Sequence, residues 1–165
     1  MILADGQCCP FQDRTFDIVF HQGLLEHFPS PYALLRENLR VLKKGGFLVI
    51  DVPQTYHVYT ILKHILILLG SWFGGWERQF TKGSLSRLIR KFKLEPIHFY
   101  GDWSRPGILY KTIREGLKRF GIHLPMYPKF LGPITEKFYG LQKNLRNKEL
   151  FLFTVLSIGV IARKQ

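Results

Sequence analysis

Three short segments of this 165-residue sequence join a polar side chain to glycine or proline: Asp5-Gly6, Gln22-Gly23 and Pro53-Gln54. Each lies just beyond an apolar stretch (MIL, FDIVF and FLVID), where a strand of a parallel sheet would end and where the ligands of open sheets collect. Asp-Gly is also a common turn dipeptide that needs no ligand. Groups able to accept a proton stand close by: His21, His27 and Tyr56, with Glu26 beside His27. A histidine in such a place serves packing or solvent contact as readily as catalysis. Cys8 and Cys9 are adjacent, so they cannot staple distant segments, and no partner ligands stand at metal-site spacing. No metal is expected.

The elements that must hold these residues can be read from composition and periodicity. Hydrophobic residues make up 46% and charged residues 22%, which is globular composition, and the length suits a single domain over 1–165. The run FDIVF predicts a strand buried on both faces of a parallel sheet. SPYALLRENLRVLKK predicts a helix with Ser30 as N-cap, Pro31 in the first position, and Lys43 and Lys44 at its C-terminal end. Gly45-Gly46 should stop it, and FLVIDVP should return as a parallel strand. Further on, FTKGSLSRLIRK predicts a helix capped by Thr81, with Ser84 a weaker substitute for the glutamate of a capping box. Its buried face would hold Leu85, Leu88, Ile89 and Phe92, and its outer face Arg87, Arg90, Lys91 and Lys93. SIGVIARK closes the chain as a strand.

Charge is unevenly distributed. Residues 1–56 hold five Lys/Arg against six Asp/Glu, and the remainder nineteen against six, so the net charge of +12 lies wholly beyond residue 56. Such asymmetry suits an anionic membrane surface, a nucleic acid, an acidic substrate or simply a basic soluble surface. Nucleic acid is disfavoured, because the cations are scattered through apolar text with no binding module. Met1 is followed by Asp5 with neither a basic start nor an apolar run, and the cysteine usage suits a reducing compartment, so a cytoplasmic location is expected.

From Ala4 to Pro53 the sequence resembles the middle motifs of class I S-adenosylmethionine-dependent methyltransferases, in the broad group that includes the ubiquinone and menaquinone enzymes. The resemblance rests on the Asp5-Gly6 turn, Pro10-Phe11, Asp13, Phe16-Asp17, Leu25-Glu26-His27, and Arg40-Val41-Leu42-Lys43 leading into Gly45-Gly46. It implies an α/β fold: an incomplete Rossmann-like sheet with MIL as the stub of the third strand, strands four to seven, and helical insertions. It also implies S-adenosyl-L-methionine as cofactor, with Asp5 meeting the adenine amino group, Gly6 the ring, and Gln22, next to Gly23, the methionine part. His27, His21 and Tyr56 are the base candidates should the acceptor be a hydroxyl. The family's glycine-rich loop and its ribose-binding acidic residue have no counterpart in this sequence.

Two segments exceed what the sheet requires, 54–80 and 104–149, and the resemblance implies that both cap the acceptor site. Within the first, YHVYTILKHILILLGSWFGGW is too short and broken to span a bilayer. It would either pack over the sheet or lie at a membrane interface. The expected function is methyl transfer to a small, lipid-like or saccharide acceptor by a truncated domain. The alternative is a non-catalytic remnant or partner subunit, and a peripheral association with a membrane is compatible with either. An apolar sheet edge left bare at FDIVF would favour self-association.

Overall fold

The computed structural model describes residues 2–69, 77–102, 108–118, 120–126, 136, 140, 145, 148 and 151–165. In chain order these form β1 (Phe16–Gln22), a 3-10 turn (Leu25–His27), α1 (Tyr32–Val41), β2 (Leu42–Pro53), α2 (Val58–Leu68), α3 (Lys82–Lys91), β3 (Leu94–Asp102), α4 (Ile108–Lys118) and β4 (Ser157–Lys164). The sheet is four-stranded in the order β1-β2-β4-β3. β1 runs parallel to β2, whereas β4 is antiparallel to both of its neighbours. Strand, helix and parallel strand at the start of the chain follow the predicted crossover. The last strand takes the antiparallel place that the resemblance implied.

The core sits where α1 and α3 meet the sheet. Leu34 and Leu35 of α1, Leu85 and Ile89 of α3, and Leu48, Ile50, Ile158 and Val160 of the central strands form one buried cluster. Helix α3 behaves as its periodicity predicts. Thr81 accepts from the Ser84 amide, and the Ser84 hydroxyl accepts from the Thr81 amide at 2.9 Å, so serine completes the capping box rather than weakening it.

Several boundaries differ from expectation. α1 starts at Tyr32 with Pro31 as its N-cap, and no side chain caps it, so Ser30 is not used. The helix ends at Val41, because Leu42 is already extended, and the Lys43 ammonium pairs with Asp17 on β1 instead of facing the helix end. Gly45, at φ +78°, makes its left-handed bend within β2 rather than at a helix stop. Ile2 and Leu3 of the expected stub form no strand: they are 61% and 98% exposed, and β1 has β2 as its only sheet neighbour among the described residues. β1 is therefore an edge covered on one face only. Val19 and His21 face the interior, while Ile18 and Phe20 are each 60% exposed, in place of burial on both sides.

The other side of the sheet is closed by an unusually tight contact. Tyr100 on β3 lies opposite Gly159 on β4, and a Cβ at position 159 would fall 2.1 Å from the Tyr100 ring. Gly159→Ala should therefore force the ring out of place and destabilise the fold by about 1–3 kcal/mol, the usual cost of overpacking, read as a lower urea midpoint with an unchanged slope. For the opposite edge, we expect the isolated chain to self-associate through β1. Sedimentation velocity should show Phe20→Lys shifted toward monomer, and a monomeric wild-type chain would contradict the expectation.

Candidate active site at the strand tips

β1 and β2 end side by side, tied by the Gly23 amide donating to the Asp51 carbonyl at 3.1 Å. Beyond their C-terminal ends opens a cavity of about 260 Å³, walled by the β1 tip and following turn, the β2 tip, the start of β4, α2 and Glu77. This is the position at which open α/β sheets bind ligands. Gln22 and Gly23 line it as the sequence predicted, and so does Pro53. Gly23 holds φ +66°, and a Cβ there would stand 3.6 Å from Glu26 Oε1, so the turn brings the Glu26 carboxylate back over the strand tip.

The cavity wall carries buried ionisable side chains. Glu26 is 4% exposed and its Oε2 has no hydrogen-bond partner. Burial pushes its pKa up, with Glu77 and Asp51 acting in the same direction against its own backbone amide and His27. Asp51, 6% exposed, is likewise pushed up by burial, opposed by a hydrogen bond from Ser157. Tyr100 is pushed up to about 12 by burial and by Asp51. Lys63, on α2, is 3% exposed and forms an ion pair with Glu77.

Local hydrogen bonds fix α2 over this wall. His57 caps the helix by accepting the Tyr59 amide on Nδ1 at 3.1 Å, and Thr60 donates to the Gln54 carbonyl at 2.7 Å. Gln54 itself, 1% exposed, does not line the cavity. Its side chain donates to the Leu152 carbonyl at 2.8 Å and accepts the Tyr56 amide at 3.0 Å, which makes it a brace between loops.

The other predicted residues lie apart from the cavity. Asp5 and Gly6 form a turn in which Asp5 Oδ1 accepts the Gln7 amide at 2.9 Å. Gly6 is pressed so close to α1 and the loop after β1 that a Cβ would meet Leu34 at 3.2 Å and Leu24 at 3.8 Å. His27 is exposed and Tyr56 is 60% exposed, and neither contributes to the cavity wall. His21 is buried against α1, where Asn38 Nδ2 donates to its Nε2 at 3.0 Å, so its proton sits on Nδ1, which has no partner. Sequence reasoning named Glu26 without a role and passed over Asp51 and Lys63. The signal for both was present, as a lone carboxylate in an apolar strand and a lone cation in an apolar helix.

With this geometry established, the likeness to known proteins is consistent. A methyltransferase-domain family model matches residues 1–50. An uncharacterized methyltransferase of Mycobacterium leprae is 41% identical over 106 residues, 61% of this chain and 34% of that protein. The sterol 4-C-methyltransferase strm-1 of Caenorhabditis elegans is 39% identical over 56 residues, 33% of this chain and 17% of that one. The chain thus spans about a third or less of the length of these curated relatives. In structure, a S-adenosylmethionine-dependent methyltransferase of Thermotoga maritima superposes with a TM-score of 0.61 at 16% identity, covering 98% of this chain and 62% of that one. The [4+2]-cyclase SpnF has the same fold at a TM-score of 0.55 and 20% identity, covering 98% and 55%.

Sheet order and strand-tip cavity define an α/β domain of the Rossmann-like methyltransferase type. Over residues 1–50 the chain matches the methyltransferase-domain family, and its fold is that of class I S-adenosylmethionine-dependent methyltransferase structures.

One consequence of the site's surroundings is a pH dependence of stability. Burial lowers the His21 pKa from 6.5 to about 4, so between those values the unfolded chain binds the extra proton and stability falls with falling pH. The full difference corresponds to roughly 3 kcal/mol. Urea melts between neutral pH and pH 4 should show this loss, and His21→Gln should flatten it.

Proposed function

We propose that this chain carries the acceptor side of a S-adenosylmethionine-dependent methyltransferase and that the cavity at the β1 and β2 tips receives a small, lipid-like or saccharide acceptor. The observation that supports it most is Glu26: a buried carboxylate with an unpartnered Oε2 at the wall of a strand-tip cavity, beside Gln22. Unsatisfied buried polar atoms are costly and are retained where a ligand completes them.

The residues present fit one part of the cofactor. The second carboxylate oxygen of Asp5 suits an exocyclic amine, Gly6 offers a backbone without Cβ, and the acidic cavity wall suits a sulfonium. When bound, the cofactor supplies an activated methyl group. The chain's own residues then have modest work to do. Gln22 would lie beside the methionine part, Tyr59 and Thr60 would exclude water from above, and Glu26 Oε2 would accept the proton of an acceptor hydroxyl. The segment 54–80 acts in this reading as a cap, because α2 supplies Tyr59, Thr60 and Lys63 to the cavity wall; most of 104–149 lies outside the described residues.

Isothermal titration with S-adenosylmethionine, together with a thermal-shift assay, tests the proposal. Weak but saturable binding is the expected result. Asp5→Ala should weaken it about tenfold, in line with the loss of a charge-assisted hydrogen bond, and Glu26→Gln, which removes one carboxylate from the cavity wall, should weaken it less. If neither heat nor a melting shift appears at millimolar cofactor, the chain alone is not an enzyme. The bare β1 edge would then favour the second reading, a subunit that binds the cofactor only beside another chain.

A further inference from the structure

Helix α2 is amphipathic in the reverse of the usual sense. Val58, Ile61, Ile65 and Leu68 recur at helical spacing on one face, and they are 74%, 51%, 47% and 86% exposed. On the opposite face Thr60 and Lys63 are 2% and 3% exposed and belong to the cavity wall. A helix that merely covered a sheet would turn its aliphatic side inward. Here the polar side is needed inside, so the aliphatic stripe faces out.

A basic groove runs beside the stripe. His64 of α2 donates from Nε2 to Gln79 Oε1 at 3.1 Å, and Gln79 shares with Arg78, Arg87 and Lys91 the wall of a groove of about 310 Å³. All three cations are exposed, and no acidic side chain lines the groove among the described residues. Arg90 and Lys93 extend the same basic surface along the outer side of α3 and its end. Aliphatic stripe and cations thus adjoin through one hydrogen bond between α2 and residue 79.

We infer that the outward face of α2 and the adjoining groove form a docking surface for an anionic lipid bilayer. The stripe enters the boundary between headgroups and acyl chains, and the cations meet the phosphate-bearing headgroups. A nucleic acid would engage the cations but leave the aliphatic stripe in water. A second copy of the chain would cover the stripe but bring like charges together. No helix among the described residues is long and apolar enough to cross a membrane, so the contact is interfacial. The inference goes beyond methyl transfer and does not depend on it.

Co-sedimentation of the full chain with phosphatidylcholine vesicles, with and without phosphatidylserine, at low and high salt, tests it. Sedimentation with the anionic vesicles alone, weakened by salt, is expected. The double variant Ile61→Asp with Ile65→Asp should abolish it, and Arg78→Ala with Arg87→Ala should weaken it by about fivefold for each cation removed; circular dichroism should be unchanged in both. Indifference to phosphatidylserine would overturn the inference, as would undiminished binding by the aspartate variant. So would single-stranded RNA binding in place of vesicle binding, or a dimer that the aspartate variant dissolves in a chain that binds no vesicles.

Discussion

The structure depends on β4 lying antiparallel between β2 and β3. Without it β3 has no sheet partner among the described residues, and α3, which packs on β3, is cut off with it from the rest of the sheet. Half of the strand is buried, with Ile158, Val160 and Ala162 fully inaccessible. Its entry point is fixed from both sides. The Leu156 carbonyl accepts the Gln54 amide at 3.0 Å, and the Leu156 amide donates to the Asp102 carbonyl at 2.8 Å. That clamp brings Ser157 to Asp51, so the strand that completes the sheet also completes the wall of the cavity. Fold and site share one constraint.

The cavity in turn dictates how α2 is oriented. A buried ion pair such as Lys63–Glu77 roughly breaks even against an apolar pair of the same volume, and carboxylates in excess of their partners are unfavourable. Glu26, Asp51 and Glu77 outnumber Lys63, and burial pushes Glu26 and Asp51 toward their neutral forms. Packing alone would not select such a wall. Given the wall, α2 must present Thr60 and Lys63 to it, and a helix rich in isoleucine and leucine has little choice about where the remaining side chains go. Its exposed stripe is therefore a consequence of the site beneath it.

Much of this architecture was legible in the sequence, and the exceptions have a common cause. Helix α3, the parallel crossover and the antiparallel last strand followed from periodicity, caps and the order of motifs. Burial could not be read where a segment is apolar throughout. FDIVF looks the same whether one face or two are covered, and YTILKHILILL does not reveal which side is inward. The end of α1 was misplaced because Lys43 suits a helix terminus as well as it suits Asp17 across the strand pair. At the strand tips, the rim position of Gln22 and Gly23 could be read because a strand end marks it, and both line the cavity there. Asp51 and Lys63 were missed because they sit inside elements read for packing, where a single polar residue carries the information.

Helix α1 links the two predicted halves of the cofactor edge. Arg40 binds Glu37 and Asp13 and donates to the carbonyls of Phe11 and Cys9, while Glu37 accepts the Cys9 amide at 2.7 Å, so residues 9–13 are anchored to the C-terminal half of the helix. Toward its other end Leu34 touches the Asp5-Gly6 turn, and that turn also meets Leu24 in the loop that follows Gln22 and Gly23. Asn38, between them, holds His21 one residue before Gln22. A displacement of α1 would shift the Asp5 turn and the β1 tip together. The spacing between the Asp5-Gly6 turn and the Gln22-Gly23 tip is thereby set by the rigidity of one helix rather than by either loop, and rigid elements hold geometry better than loops do.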